Sequence, residues 1–409
     1  MIMVLYRVLI ALLMLLSAEG GHADNRWSIS PKLEAQASVL KKIADLKPNH
    51  AIHLGSANVI GDFNDIAKQF KLDETGPMGR DYSIKMVWAP ERERALFTGA
   101  NHGHPHRLND VWEFDLGALS WALLYAPDNP RSYAGLGRNP SDVKFKDGVL
   151  VTKRGGPAVI GHTWWGITYD ENNRELLFMN TWNTNQSKAI EQLGGNPDER
   201  YKGAPLWSFI PQTQQWRFNK TRGLSPRAPF GGMLEYIPDS GGAIWHTNHW
   251  QMLATWLYEP GAKVWTNLRA NAIRGDLRAQ SPKTEQVGYY DPERKVIISQ
   301  RGHDTFEYDI SDRRWSKILE KPANHETWPN GHDAFAPMYR DPNTGHGLLV
   351  DFRSNELWSY NPEDNWWTKL SPIGARMPKG RKRVAYFDIK HSVFIVIDGL
   401  DIWAYRYSL

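Results

Sequence analysis

Histidines and arginines carry most of the chemistry this sequence could do. His102, His104 and His106 stand two apart in NHGHPHR, with Arg107 directly after them. In an extended loop that spacing puts three imidazoles on one side, so they could hold a structural divalent metal; a solvated, hydrogen-bonded loop is the alternative. His162 opens HTWWGITYD, His246 and His249 sit in HTNHW, and His303 follows Arg301 in QRGHD. An imidazole can give or take a proton near neutral pH. Arg227, Arg353, Arg381 and Arg383 could each neutralise a carboxylate through charge-assisted hydrogen bonds. Tyr201 adds a phenol, and Trp182 and Trp250 add flat rings on which a sugar face could lie. Each also has a structural reading: a hydrogen-bonded histidine in a core, an arginine bridging two repeats, a tryptophan covering an end of the fold.

Those residues are scattered along the chain, so something must gather them. The stretch DVWEFDLGALSW, ending at Trp121, reads as strand, tight turn, strand. Related segments are PLWSFI, ATWLYE, DTFEYD, ELWSYN and DIWAYR, and further tryptophans follow at Trp216, Trp265, Trp315 and Trp366. Aromatics at alternate positions suit a strand with one packed face. Two more strands precede each copy, such as VGYYDP and KVIISQ, joined by turns like DPERK. Each unit is therefore a meander of strands A, B, C and D, which must stack on its neighbours to bury both faces.

The chain is predicted to be all-β: a β-propeller of six four-stranded blades, with room for a seventh between Trp121 and Trp216. That interval holds a hairpin expected around 144–153. The sixth unit ends at Leu409 without a D strand, so an N-terminal strand over 51–57 is expected to close the ring and remove its edges. Helices are expected over 31–46 and 62–70. The organisation expected is a secretory signal over 1–23, a helical segment with the closing strand over 24–80, and the propeller over 81–409. The signal rests on Arg7, the apolar run Val8 to Leu16, and small residues before a cut after Ala23. The run is too short to span a bilayer, so the expectation is a secreted or periplasmic protein with no membrane anchor.

In such a meander the B–C and D–A connections share one face. That rule places nine of the 14 histidines there, namely those above with His325 and His332. The arginines join them, as does the charge run KGRKR over 379–383. The net charge of +4 is too small to argue for nucleic acid, yet it suits a local basic patch for an acidic polymer. Cysteine is absent, which excludes disulfides, thiolate metal sites and a cysteine nucleophile. No nucleophile elbow, phosphate-binding loop or dinucleotide fingerprint occurs.

The WEFDLGALSW-type strand pair, recurring at a spacing of about fifty residues over 81–409, resembles kelch and galactose-oxidase-like propellers. It departs from kelch in lacking a double glycine after most B strands, where TGANHGH, WHTNH and SQRGH stand instead. The missing cysteine also removes the cysteine–tyrosine cofactor of galactose oxidase. A basic propeller rich in histidine and arginine is similar to the secreted ulvan lyases, although no residue of theirs is matched to a position here. That resemblance implies β-elimination on a uronate-containing polysaccharide by histidine, tyrosine and arginine. In that scheme Arg227 meets the carboxylate, His162 or His249 takes the C5 proton, and Tyr201 or His104 protonates the leaving oxygen. His246, His303, Arg107, Arg301, Arg353, Arg381, Arg383, Trp182 and Trp250 are the expected substrate contacts. The expected partner is an acidic polysaccharide, bound by a monomer that needs no cofactor. Two other functions stay open: a non-catalytic propeller binding glycan or protein, and a glycoside hydrolase with paired carboxylates among Asp304, Glu326, Asp333, Asp351 and Glu356.

Overall fold

Short strands with an apolar face cannot bury it alone, and here they close into a ring of six antiparallel sheets. The computed structural model describes residues 33–61, 65, 68, 77–80, 82–99, 109–128, 142–158, 160, 163–180, 186–227 and 231–409. Blade 1 has strands A to D at Val87–Ala89, Arg94–Thr98, Val111–Asp115 and Ser120–Tyr125; blade 2 at Ile167–Asp170, Glu175–Met179, Leu206–Ile210 and Gln215–Phe218. Blade 3 has Met233–Ile237, Gly242–His249, Met252–Glu259 and Val264–Asn267; blade 4 has Val287–Asp291, Val296–Arg301, Asp304–Asp309 and Arg314–Leu319. Blade 5 has Met338–Arg340, Gly347–Asp351, Glu356–Asn361 and Trp366–Leu370, and blade 6 has A to C at Arg383–Asp388, Val393–Asp398 and Asp401–Tyr405. The six A strands neighbour one another in a closed cycle around the axis.

The ring closes with the N-terminal strand. His50–Ser56 lies antiparallel to Asp401–Tyr405 and supplies the fourth strand of blade 6. Outside it, Ile373–Gly374 pairs in parallel with its start. Another N-terminal strand, Asn58–Ile60, adds a parallel fifth strand to blade 1. The interval between blades 1 and 2 holds the hairpin Val143–Lys146 with Val149–Thr152, and no seventh four-stranded unit is found among the described residues. The first predicted helix is shorter than its pattern: it runs Ala37–Ala44 and buries Val39 and Ile43. Arg406 ends it by donating to the carbonyls of Ile43 and Leu46, both at 2.8 Å. Most of the second predicted helix, over 62–70, lies outside the described residues.

The repeated tryptophan of strand D packs on the aromatic of strand C across the ladder. Phe114–Trp121, Phe209–Trp216, Tyr258–Trp265 and Tyr308–Trp315 have ring centroids 4.9, 5.3, 5.2 and 5.1 Å apart. In blade 5 the residue in this role is Trp367, opposite Tyr360 at 5.1 Å, and not Trp366. Trp367 is 2% exposed and Trp366 is 38% exposed, because one step along a strand reverses the side. The indole N–H groups tie blades together: Trp315 donates to Thr255 of blade 3 at 3.0 Å, and Trp367 to Thr305 of blade 4 at 2.9 Å.

Candidate functional site: a basic cavity at the mouth of the ring

Four chain segments meet at the B–C and D–A end of the ring. They are Gly79, Arg80, Tyr82 and Ile84 ahead of blade 1, Ala334 and Phe335 ahead of blade 5, Phe352 and Arg353 after its B strand, and Lys379, Gly380, Arg381 and Arg383 entering blade 6. Together they line a cavity of about 460 Å³. Among the described residues that line it, the cations are Arg80, Arg353, Lys379, Arg381 and Arg383, and none is a carboxylate.

The cations differ in how they are held. Arg80 is buried in a bidentate pair with Asp110, at 2.9 and 2.6 Å, so its charge is neutralised. Arg383 is only 5% exposed. It donates to Asn355 Oδ1 at 2.6 Å, to the Pro378 carbonyl at 2.8 Å and to the Phe352 carbonyl, and lies over the Phe352 ring at 4.5 Å. Burial lowers its pKa. Arg353 is exposed and rests on the Phe335 ring, 3.6 Å from its centroid. Lys379 and Arg381 are exposed too, and among the described residues none of these three has an ion-pair partner. The cavity thus presents three uncompensated cations above a fixed arginine.

The loop bearing Lys379 and Arg381 is pinned between them. Gly380 donates its N–H to Asp398 Oδ2 at 2.6 Å. A Cβ at this position would lie 2.0 Å from Asp398 Oδ1, so glycine lets the backbone come this close without displacing that carboxylate. On the other wall Tyr82 holds a left-handed backbone, φ 56°, which is strained for a tyrosine.

Beside the cavity stands His332. Its ring stacks on Phe335 with centroids 4.5 Å apart and lies 6.3 Å from the Tyr82 ring. Nε2 is 3.4 Å from Glu285, Nδ1 is 3.3 Å from Asp333, and Nδ1 accepts from the Ala334 N–H at 3.1 Å. Burial disfavours the charged ring, but the neighbouring carboxylates of Asp333 and Glu285 outweigh it and raise the His332 pKa. Glu285 is held low by its hydrogen bond to His332, and Arg301 pairs with it at 2.6 Å. Asp333 is fully buried and burial pushes its pKa up to about 6. Neither of its oxygens has a hydrogen-bond partner among the described residues.

Of the residues singled out from sequence, Arg353, Arg381 and Arg383 come together in this cavity. Arg301 is adjacent through Glu285. His303 is exposed, its Nδ1 2.9 Å from the Pro329 carbonyl. His249 ends strand B of blade 3 and packs 5.5 Å from Trp250, which is 74% exposed. Arg227 is exposed ahead of blade 3. None of His249, Trp250, His303 and Arg227 lines the cavity.

Two assignments are corrected. His246 is no substrate contact: it is fully buried within strand B of blade 3, 2.9 Å from Thr255 Oγ1 and 3.3 Å from the Pro282 carbonyl. Strand B simply runs on past it to His249, where a loop was expected. Tyr201 is not poised at the mouth either. Its hydroxyl bonds with Thr221 and Ser225, and its ring packs edge-on against Phe218 of blade 2. His102, His104, His106, Arg107, His162 and Trp182 lie outside the described residues. Among the described residues no group of three His, Asp or Glu side chains is placed to hold a metal ion.

Tyr82 and Phe335 were not among the candidates, Lys379 entered only as part of the charge run over 379–383, and His332 was placed on this face without a role. The face rule could have found Tyr82, which stands just ahead of the first inner strand. Below the mouth the axis is filled. Lys85 pairs with Glu235 at 2.6 Å, donates to the Leu234 carbonyl at 3.1 Å and lies 4.7 Å from the Trp165 ring. Trp165 Nε1 donates to Glu235 at 2.8 Å.

No protein-family model matches the chain, and no curated protein matches it by sequence. Among solved structures, it is similar to a catalytically inactive virginiamycin B lyase from Staphylococcus aureus with quinupristin. That match has 10% identity and a TM-score of 0.44, covering 82% of this chain and 97% of the other. It is also similar to a chain of a nidogen/laminin complex, at 9% identity and a TM-score of 0.40, over 71% of this chain and 81% of the other. The ring rests on its own strand pairings, and these likenesses assign no activity to it.

Proposed function

We propose that this protein is a secreted lyase that binds a uronate-containing acidic polysaccharide at the mouth of the ring and cleaves it by β-elimination. The observation that carries the reading is the cavity in which, among the described residues, Arg353, Lys379 and Arg381 have no ion-pair partner and no carboxylate joins the lining. A uronate carboxylate is the anion these side chains suit: guanidinium groups meet it through paired, charge-assisted bonds. Neutralising that carboxylate makes the C5 proton more acidic. A base then removes the proton, the C4–O bond breaks as the C4–C5 double bond forms, and an acid protonates the departing oxygen. Tyr82, in the lining, is the candidate base. His332 is the candidate acid, because its carboxylate neighbours keep a proton on it above the usual imidazole range.

One feature of the site favours a binding-only role as the second reading. Both ring nitrogens of His332 are engaged, by Glu285 and by the Ala334 N–H. The test is a panel of uronate polymers followed by ultraviolet absorbance of the unsaturated product and by reducing ends. Elimination predicts both signals, with the rate lost in Arg381→Ala and Arg353→Ala. Binding without either signal would refute the lyase and leave the second reading. Reducing ends without unsaturation would point to hydrolysis instead.

A further inference from the structure

A second cavity, of about 410 Å³, lies between blades 5 and 6 and shares Lys379 with the first. One connection builds both. Residues 371–382 leave strand D of blade 5, line this groove with Pro372, Arg376 and Met377, and reach the mouth at Lys379–Arg381. The groove is a formed feature. The Ala375 N–H donates to the Ala51 carbonyl at 2.9 Å, and Asn355 Nδ2 donates to the Met377 carbonyl at 3.3 Å. Asn355 also accepts from Arg383, so a hydrogen-bonded pair is the sill between the two cavities.

The floor and rim have different chemistry. Leu357, Leu370, Pro372 and Met377 give an apolar floor. Arg376 and Lys379 are exposed at its rim, and among the described residues neither has an ion-pair partner. Lys369 is there too, paired with Glu356. An apolar surface under spaced cations matches a chain whose units each have a C–H face and a carboxylate. Among the described residues of the lining the one tryptophan, Trp403, is fully buried, so none of them offers an open indole for stacking nucleobases.

We infer that the groove is an extended subsite, and that the ligand is a linear anionic glycan running radially from the mouth across Lys379 to Arg376. This rests on the proposed glycan-binding role of the mouth and adds length and direction to it. The experiment measures binding of oligouronates from dimer to octamer to the full chain, with single-stranded DNA of matched charge as a second polyanion. Wild-type affinity should rise with length. Arg376→Ala should lower the octamer-to-dimer affinity ratio by about tenfold, the value of one charge-assisted hydrogen bond. Arg381→Ala should weaken every length. An unchanged unfolding midpoint for both variants shows that the fold is intact; if either fails to fold, Arg376→Gln and Arg381→Gln replace them. Oligouronates that bind with no length dependence, or a ratio indifferent to Arg376, would overturn the groove while leaving the mouth. No binding at any length would overturn the reading of the mouth and the groove with it. Equal affinity for DNA would overturn the choice of glycan.

Discussion

His246 carries the cost of a buried neutral imidazole. Burial drives its pKa to about 3 from the usual 6.5. The folded chain therefore leaves the ring unprotonated over that window, while the unfolded chain binds a proton. Where the unfolded state holds more protons, stability rises with pH. On acidification this histidine should remove stability progressively below pH 6.5, the loss levelling off near pH 3. Urea midpoints of wild type and His246→Asn between neutrality and pH 4 check this; parallel acid limbs would contradict it. The Lys85–Glu235 pair is a second case. Burial lowers the lysine pKa and raises that of the glutamate, against the attraction between them. Lys85→Met leaves Glu235 without its counter-charge and should cost about 3–5 kcal/mol. Adding Glu235→Leu should recover part of that loss in chemical unfolding. A neutral single variant would mean that the pair does not secure the axis.

The connection over 371–382 is the element on which the mouth depends. Its position is set by the glycine contact with Asp398, by Arg383 donating to the Pro378 carbonyl, and by pairing of Ile373–Gly374 with the closing strand. Gly380→Ala places a methyl group against the tip of the Asp398 side chain, so the carboxylate must swing away or the loop must lift. Either way the hydrogen bond that pins the loop is lost and the loop is released. Lys379 and Arg381 would move with it. The expected outcome is weaker binding of anionic glycan, by more than the small drop in unfolding midpoint accounts for. Equal affinity with a shifted midpoint would show that the two cations act independently of loop position. The strand elements were legible in advance because aromatic alternation and turn residues are local signals. The one-residue error at Trp366 has a local cause as well: WW offers two candidates, and only pairing with Tyr360 selects Trp367.

The whole ring depends on one long-range event. His50–Ser56 must find Asp401–Tyr405, a pairing between the two ends of the chain. Leu54 is 3% exposed in that strand, so Leu54→Ala should cost about 2–5 kcal/mol. Removing the strand altogether should expose sheet edges and promote aggregation. Thermal unfolding and light scattering measure these two effects; a soluble, equally stable truncation would mean that blade 6 closes by other means.

What the sequence determined by itself was the blade: period-two aromatics, turn residues and a repeat near fifty positions dictate a four-stranded meander that must stack. It also placed Arg353, Arg381 and Arg383 at the right end of the ring, since loop connectivity alone decides the face. Tertiary structure decided the rest. It brought Arg80 and Tyr82 beside Lys379 and Arg381, set His332 between two carboxylates, buried His246, and turned Tyr201 onto blade 2. The physical reason is range. Strand patterning is written in neighbours, whereas a cavity is made by side chains hundreds of positions apart, whose distances exist only once the ring is closed.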